Sequence, residues 1–314
     1  MPQLEESMRE VYGKTLVALG KENPDIVVLD ADLAKSTQTY MFCASNPDRF
    51  FDAGIAEANM IGIAAGLAAT GKIPFASSFA VFVPGRCFDQ VRMSIAQPHL
   101  NVKLVTTHSG LSVGEDGSSH QAIEDLSLAL SLPGFTVIVP ADAVETAQAV
   151  RYAAATNGPF FIRLCRPRTP VVFDEKYQFK VGKAVTMREG KDATIIAIGL
   201  MVPEALKAAE TLKAGGIDCR VVNMSTLKPV DEAAIVQAAV ETGAIVTAEE
   251  HLKHGGLGSV VSQIVSAKKP VPMEFVAVND TYAQSGKAAE LMERYGLTAK
   301  NIADAVKNVV ARKA

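Results

Sequence analysis

The sequence predicts an α/β protein with two domains, each built on a mainly parallel sheet. Strand-length apolar runs alternate with longer segments of helical character, as parallel sheets require. The 314 residues, 48% of them hydrophobic, suffice for two cores. Residues 167–192 carry prolines and charges without a long period, which is typical of a connector. We therefore predict a first domain over residues 1–168, a linker over 169–191 and a second domain over 192–314.

The predicted elements follow in order along the chain. In the first domain the sequence predicts strands at 25–32, 50–54, 103–108, 135–140 and 159–164, and helices at 59–70, 120–132 and 142–155. In the second domain it predicts strands at 193–199, 219–224, 243–250 and 272–278, and helices at about 202–214, 231–240, 256–268, 287–295 and 299–312.

Composition excludes several classes of function. The 31 basic and 34 acidic residues give a formal net charge of −3, and no basic block indicates a nucleic-acid partner. The four cysteines, at 43, 87, 165 and 219, stand singly in apolar stretches, so neither a disulfide framework nor a CxxC metal site is expected. The N-terminus has no signal-peptide pattern and no apolar run reaches membrane-spanning length. We expect a cytoplasmic protein.

The segment HSGLSVGEDGSSH holds two of the five histidines, His108 and His120, with Glu115 and Asp116 between them. It follows the predicted strand at 103–108, so it lies at the carboxyl edge of the sheet, where open α/β sheets bind ligands. Two imidazoles and two carboxylates can transfer protons and bind hydroxyl or phosphate oxygens near neutral pH. A glycine-rich surface loop whose acids cap the next helix is the alternative reading.

Two further features are open to two interpretations. Glu57 begins an almost wholly apolar helical segment, either as a buried functional acid or as an acid favoured by the helix dipole. Phe75, Phe79 and Phe82 form either an apolar core or a slot for a flat heterocycle.

The sequence contains no HExxH, P-loop, GxSxG or full GxGxxG motif, and GGLG at 255–258 lacks the third glycine.

Together, in this order, the motifs resemble the carboxyl-terminal half of a transketolase. Transketolases are thiamine diphosphate enzymes that move two-carbon ketol units between sugar phosphates. The resemblance covers essentially the whole chain, and it is carried by GIAEANM around Glu57, SSFAVF with Phe79 and Phe82, THSGLSVGEDGSSHQ, RLCRP with Arg166, VTAEEH at 246–251 and YAQSGKAAELMERYGLTAKNI at 282–302. It implies a pyrimidine-binding domain followed by the family's C-terminal domain, each with helices on both faces of its sheet.

The resemblance also implies roles toward the cofactor. Glu57 would hydrogen-bond the aminopyrimidine ring of thiamine diphosphate and favour the tautomer that lets the cofactor act as its own base. Phe79 and Phe82 would form the apolar slot for that ring, where low polarity strengthens the hydrogen bond. Asp32 would be a further cofactor contact.

Substrate contacts carry over in the same way. His120 would lie beside the reacting hydroxyls and act in catalysis with His108 and Glu57, while Asp116 would accept a hydrogen bond from a donor hydroxyl. The distal phosphate would be held by Arg9, Ser36, His108 and Arg166. An arginine suits phosphate because its planar fork donates two hydrogen bonds. Arg163 competes with Arg166 for this role, and a solvated helix arginine and a loop serine are the alternative readings of Arg9 and Ser36.

The sequence departs from the family at several positions. Ser109 stands where the family has Asp, Ser118 and Ser119 stand where it has Pro-Thr, and Gly85 replaces a tyrosine of the pyrimidine slot. The Gly-Asp-Gly motif that holds Mg²⁺ or Ca²⁺ and the diphosphate is absent, the nearest string being EDG at 115–117. We therefore expect a split transketolase in which a separate N-terminal subunit carries this motif, in a heterotetramer of two chains of each kind.

Three alternatives remain at this level. A 1-deoxyxylulose-5-phosphate synthase shares the histidine-bearing loop but is usually one continuous chain. The β subunit of a 2-oxoacid dehydrogenase shares the split layout but lacks this loop. A noncatalytic regulatory or scaffold subunit is the alternative from another class, and the intact set of Glu57, His108, Asp116 and His120 argues against it.

Overall fold

Two open sheets flanked by helices, together with a small two-stranded sheet, make up the computed structural model, which describes residues 4–313. The strands of the first half are β1 (Glu5–Glu6), β2 (Ile26–Asp30), β3 (Phe50–Asp52), β4 (Ile73–Phe79), β5 (Lys103–Thr107), β6 (Thr136–Ile138), β7 (Phe160–Arg163) and β8 (Thr169–Pro170). The helices of this half are α1 (Met8–Glu22), α2 (Ala34–Thr37), α3 (Tyr40–Ser45), α4 (Glu57–Ala69), α5 (Phe88–Gln90), α6 (Asp125–Ser131) and α7 (Ala143–Ala155).

The second half follows the same alternation. Its strands are β9 (Val185–Arg188), β10 (Ala193–Ala197), β11 (Cys219–Asn223), β12 (Thr226–Lys228), β13 (Ile245–Leu252) and β14 (Met273–Val278). Its helices are α8 (Met201–Ala214), α9 (Glu232–Thr242), α10 (Leu257–Lys268), α11 (Ala288–Arg294) and α12 (Ala299–Val310). None of the helices in residues 4–313 combines the length and apolar character that crossing a bilayer requires.

In residues 4–313 the first sheet has seven strands in the order β12-β6-β7-β5-β4-β2-β3. The six strands from β6 to β3 pair in parallel, and β12 joins antiparallel at the edge of β6. Helices cover both faces, because alternate residues of β2 enter different cores. Ile26 and Val28 pack with α1 and α7, whereas Val27 and Leu29 pack with α4 and α6. Burial on both faces explains why these strands read as continuous apolar runs.

The second sheet has the order β14-β13-β10-β11-β9 within the described residues, parallel except for the edge strand β9. Helices α8 and α12 cover one face. Helices α9 and α10 cover the other, in a core cluster that also includes Val137 and Val139 of the first half. The two halves therefore share apolar packing as well as the strand β12.

Several sequence predictions need correction. The helix predicted over 120–132 begins only at Asp125, because Ala122 is held in an extended bridge to Ser109 and its carbonyl accepts the Gly110 amide at 2.8 Å. Two short strands that periodicity did not predict lie within residues 169–191, namely β8, which pairs with β1, and β9, which pairs with β11. The strands β4 and β12 and the helix α1 were not predicted from periodicity.

Candidate functional site

The predicted site residues lie around the carboxyl edge of the first sheet. The segments that leave this edge are those after β2 with Asp32 and Ser36, after β3 with Glu57, after β4 with Phe82, after β5 with His108 and Asp116, and after β7 with Arg166. Arg9 joins them from the first turn of α1, whose start is fixed by the Ser7 hydroxyl accepting the Glu10 amide at 3.3 Å. This edge is where parallel α/β sheets bind ligands.

The two phenylalanines and the two loop histidines meet in one cluster. The Phe79 and Phe82 rings are nearly parallel, 13° apart, with centroids 5.8 Å from each other. The His108 ring stacks on Phe79 at 3.8 Å, and the His120 ring meets Phe82 edge-on at 5.4 Å. The structure thus brings both ends of the glycine-rich loop against the aromatic pair.

Glu57 is the first residue of α4 and is only 2% exposed. The Ser78 hydroxyl donates to Glu57 Oε1 at 3.4 Å and Arg86 Nη1 lies 3.5 Å from Oε2. Both distances are at the long limit for a hydrogen bond, so this buried carboxylate has capacity for a better donor. The helix dipole of α4 favours its negative charge.

Arg86 is a site residue that the sequence reasoning missed. Its guanidinium lies 3.9 Å from the centroid of the Phe82 ring while it pairs with Glu57. The available signal was its place directly after Gly85, where the slot tyrosine is missing. A Cβ at Gly85 would meet nothing within 4 Å, so the space at this position is open.

His108 is held as a neutral imidazole. The residue has a left-handed backbone with φ of 58°, is 3% exposed, and its Nδ1 shares a hydrogen bond of 2.8 Å with the Thr107 hydroxyl. Burial, with a smaller effect from the positive charges of Arg9 and Arg166, lowers the pKa of His108 to about 3. At neutral pH this side chain therefore meets a ligand as an uncharged group.

Arg9 links the residues predicted for the phosphate. Its Nη1 donates to the Ser36 carbonyl at 2.6 Å and its Nε donates to the Arg166 carbonyl at 3.2 Å. Arg166 in turn donates to the Val113 carbonyl and lies 3.1 Å from the Glu115 carboxylate. The link to Ser36 runs through its backbone, and two guanidinium groups lie near His108 as an anion would require.

Arg163 has a different role. It is buried, pairs with Asp125 at 2.7 Å, and donates to the carbonyls of Ala122 at 3.1 Å and Glu250 at 3.0 Å. These partners occupy its fork and keep it inside the protein. Arg166, which is half-buried, is the better candidate for a phosphate.

The remaining predicted residues are exposed. Asp116 ends the short helical segment Leu111–Asp116, and Asp32 has a φ of 60° with its amide donating to Asp52 Oδ1 at 3.0 Å. Both carboxylates face solvent at the carboxyl edge.

Asp30 supports the segment that carries Asp32 and Ser36, and sequence reasoning missed it. Its carboxylate accepts the Leu33 amide at 2.6 Å and the hydroxyls of Thr37 at 2.7 Å and Thr39 at 2.8 Å. Burial raises the pKa of Asp30 to about 6. An acid inside the apolar run DIVVLDAD was the available signal.

Across residues 4–313, no group of three or more His, Cys, Asp or Glu side chains is arranged to hold a metal ion.

Comparison with known proteins shows which protein family the chain belongs to. Residues 5–171 match the pyrimidine binding domain of transketolase, and residues 182–302 match the transketolase C-terminal domain. The chain therefore belongs to the transketolase family, whose members depend on thiamine diphosphate.

Two relatives and one solved structure show how much of each related chain this protein matches. The chain is 43% identical over 312 residues to the 6-deoxy-6-sulfo-D-fructose transketolase subunit SqwH of Clostridium sp. (strain MSTE9), covering 99% of this chain and 97% of that one. It is 40% identical to human transketolase over 97% of this chain but only 49% of the human protein. A solved structure described as a split gene transketolase, inactive beta4 tetramer, superposes with a TM-score of 0.92 at 51% identity, covering 98% and 99% of the two chains.

Proposed function

We propose that this chain is the C-terminal subunit of a split transketolase. With a separate N-terminal subunit it transfers a two-carbon ketol unit from a ketose phosphate to an aldose phosphate. The observation that carries the proposal is the cluster of Phe79, Phe82, His108 and His120 at the carboxyl edge, to which Glu57 is linked through Arg86. The Clostridium relative, named as a subunit, and the split-gene structure match this chain over nearly their whole lengths, which supports the division into subunits.

The residues present fit thiamine diphosphate. Glu57 offers a buried carboxylate whose present hydrogen bonds are long, and Phe79 and Phe82 offer nearly parallel apolar rings. Asp32 completes the set of cofactor contacts. When bound, the cofactor supplies the nucleophilic carbon that carries the two-carbon unit.

The chain's own groups then have separate tasks. Glu57 accepts a hydrogen bond from the cofactor's pyrimidine ring, and the apolar rings around it strengthen that bond by excluding water. His120, edge-on to Phe82, exchanges protons with the hydroxyls at the reacting carbons. Asp116 accepts a hydrogen bond from a hydroxyl group of the donor sugar.

The phosphate end of the sugar lies at Arg9, Ser36, His108 and Arg166. The two arginines supply positive charge and forked donors, and the neutral His108 donates from Nε2 while Thr107 engages Nδ1. In this assignment His108 contacts the phosphate of the bound sugar and His120 contacts the hydroxyls at its reacting carbons.

The partner completes the enzyme in this proposal. An N-terminal subunit with a Gly-Asp-Gly motif holds Mg²⁺ or Ca²⁺ and the diphosphate, in a cytoplasmic heterotetramer of two chains of each kind. The division into domains at 1–168 and 192–314 belongs to the same proposal, and the family matches at 5–171 and 182–302 support it.

The test is to purify this chain with the co-purifying partner and to profile its substrates. We expect ketol transfer from a ketose phosphate to an aldose phosphate in the complex and none by this chain alone. Condensation of pyruvate with glyceraldehyde phosphate, or turnover of a 2-oxoacid with a lipoyl acceptor, would overturn the assignment in favour of the related thiamine enzymes. A complex inactive toward all three inputs would favour a noncatalytic subunit.

A further inference from the structure

Glu250, in the VTAEEH segment of β13, reaches from the second half of the chain to the loop after β5. Its side chain is 3% exposed. Glu250 Oε1 accepts the backbone amide of Ser112, and Oε2 accepts the Ser112 hydroxyl at 3.2 Å. Both carboxylate oxygens therefore hold the segment that leads to Asp116.

The loop is shaped to lie against this carboxylate. Gly110 has a φ of 71°, and a Cβ at this position would overlap the carboxyl carbon and both oxygens of Glu250. Only glycine combines this backbone conformation with so close an approach. The Gly110 amide also donates to the Ala122 carbonyl, which fixes the loop at its other side.

Glu250 makes no direct ion pair among residues 4–313, although the charge of Arg163 favours its ionised form. The nearby cation Arg163 forms its ion pair with Asp125 and reaches only the backbone carbonyl of Glu250. The other titratable groups nearby are Cys165 after β7, with Glu249 and His251 on β13 itself. A buried carboxylate is costly unless its hydrogen bonds are satisfied, and here Ser112 satisfies both oxygens.

We propose that Glu250 is a positioning residue that holds the segment 109–116 in the conformation that binds the sugar phosphate. This inference rests on the proposed function, since it takes His108 and Asp116 as substrate contacts. Arg166, from the first half of the chain, holds the same segment at Val113 and Glu115. The loop is thus fixed between the two halves of the chain before a substrate arrives.

The first experiment measures steady-state kinetics of the complex with its partner. We expect Glu250→Ala to raise KM for the ketose phosphate about tenfold or more, as loss of one or two buried hydrogen bonds implies, with kcat within about threefold. Glu250→Gln should restore KM, because its amide oxygen accepts from the Ser112 amide and its NH₂ donates to the Ser112 hydroxyl. Ser112→Ala, which loses only the hydroxyl contact, should lie between.

Glu249→Gln is the matched control. Glu249 is an equally buried acid on the same strand, but it accepts the amides of Leu257 and Gly258 at the start of α10 and does not contact the loop. The KM of the Glu249→Gln complex for the ketose phosphate should stay at the wild-type value. An unchanged KM in Glu250→Ala, or a KM for Glu250→Gln no better than for Glu250→Ala, would overturn the inference, provided that the wild-type complex transfers ketol units.

Hydrogen exchange on the full chain without its partner separates this inference from the proposed function. We expect Glu250→Ala to speed exchange at the amides of 110–113 about tenfold or more while β10 exchanges as in the wild type. Should Glu250→Ala fail to fold, Ser112→Ala provides the same comparison with a smaller change. Wild-type exchange at 110–113 in both variants refutes positioning, whereas a wild-type complex without ketol transfer refutes only the proposed function.

Discussion

Glu57 and Arg86 form the pair on which the residue-scale chemistry depends. The carboxylate is buried, whereas the guanidinium side chain is 48% exposed and lies over Phe82. Because their separation is 3.5 Å, the pair is loose, and a ligand that offers Glu57 a shorter hydrogen bond can displace Arg86. The exposed partner can leave without carrying a charge into the interior.

Glu57→Gln should lower kcat of the complex by at least about 100-fold, the range of a lost proton-transfer group. The melting temperature of the free chain should stay close to the wild-type value, because the hydrogen bonds of Glu57 are long. Steady-state kinetics of the complex measure the change in kcat, and thermal melts of the free chain measure the melting temperature. Ser78→Ala, which removes one long partner, is the control and should retain most activity.

Arg166→Ala should raise KM for a phosphorylated donor by about 10- to 100-fold, because a forked, charged donor is lost. A donor without the phosphate should show little change. The neighbouring exposed Arg168 supplies the control, and Arg168→Ala should leave both KM values unchanged. Equal losses for phosphorylated and unphosphorylated donors would refute the assigned contact.

The buried His108 should make stability depend on pH. Its folded pKa of about 3 lies below the usual 6.5, so the unfolded chain binds a proton that the folded chain does not. The stability present above pH 6.5 is therefore lost as pH falls toward 3, at up to about 1.4 kcal/mol per pH unit. Relative to wild type, His108→Gln should gain stability between pH 7 and pH 5, as measured by urea unfolding. A constant difference would show that His108 titrates normally.

At the scale of elements, the hydrophobic pattern identified strands that are buried on both faces of the sheet. The run that became β2 is continuous and apolar up to Asp30, and the rule that ligands bind at the carboxyl edge placed the histidine loop at the end of β5. The start of α6 was wrong, because the bridge between Ser109 and Ala122 overrides a helical pattern. Local sequence cannot report such long-range pairing.

Long-range contacts also explain why sequence reasoning missed two functional side chains. Arg86 acquires its role only when the end of β4 meets the start of α4. Glu250 acquires its role only when β13 approaches a loop that lies far away in the sequence. Family motifs identified VTAEEH as a segment of interest, but the contact with Ser112 had to be seen in three dimensions.

Gly110→Ala tests the shape of the loop. The substitution should destabilise the chain by about 2 kcal/mol or more, because it combines a positive φ with overlap against Glu250. Gly85→Ala is the control, since its Cβ points into open space, and it should change the free energy of unfolding by less than about 1 kcal/mol. Urea unfolding of both variants makes the comparison.

At the scale of the whole molecule, the two halves are joined through a shared core and a shared sheet. Val137 and Val139 pack in one cluster with Ile196, Val222 and residues of α9 and α10. The strand β12 pairs with β6, Thr226 opposite Ile138. The first half therefore lacks both an edge strand and part of its apolar cover when the second half is removed.

A chain ending at residue 191 should consequently fail to fold cooperatively. Exposed apolar surface and an unpaired β6 edge favour association between copies. Circular dichroism melts and size-exclusion chromatography should show a broad transition and aggregates, whereas the full chain should melt in one transition. A soluble, cooperatively melting fragment would show that the halves are independent.

The strand β12 also sets the order of events during synthesis. A ribosome adds roughly 5–20 residues per second, so seconds separate the emergence of β6 from that of its edge partner β12. Throughout that interval the nascent first half presents an open sheet edge and an uncovered apolar face. Closure of the first sheet is therefore a late event of translation, timed by the second half of the message.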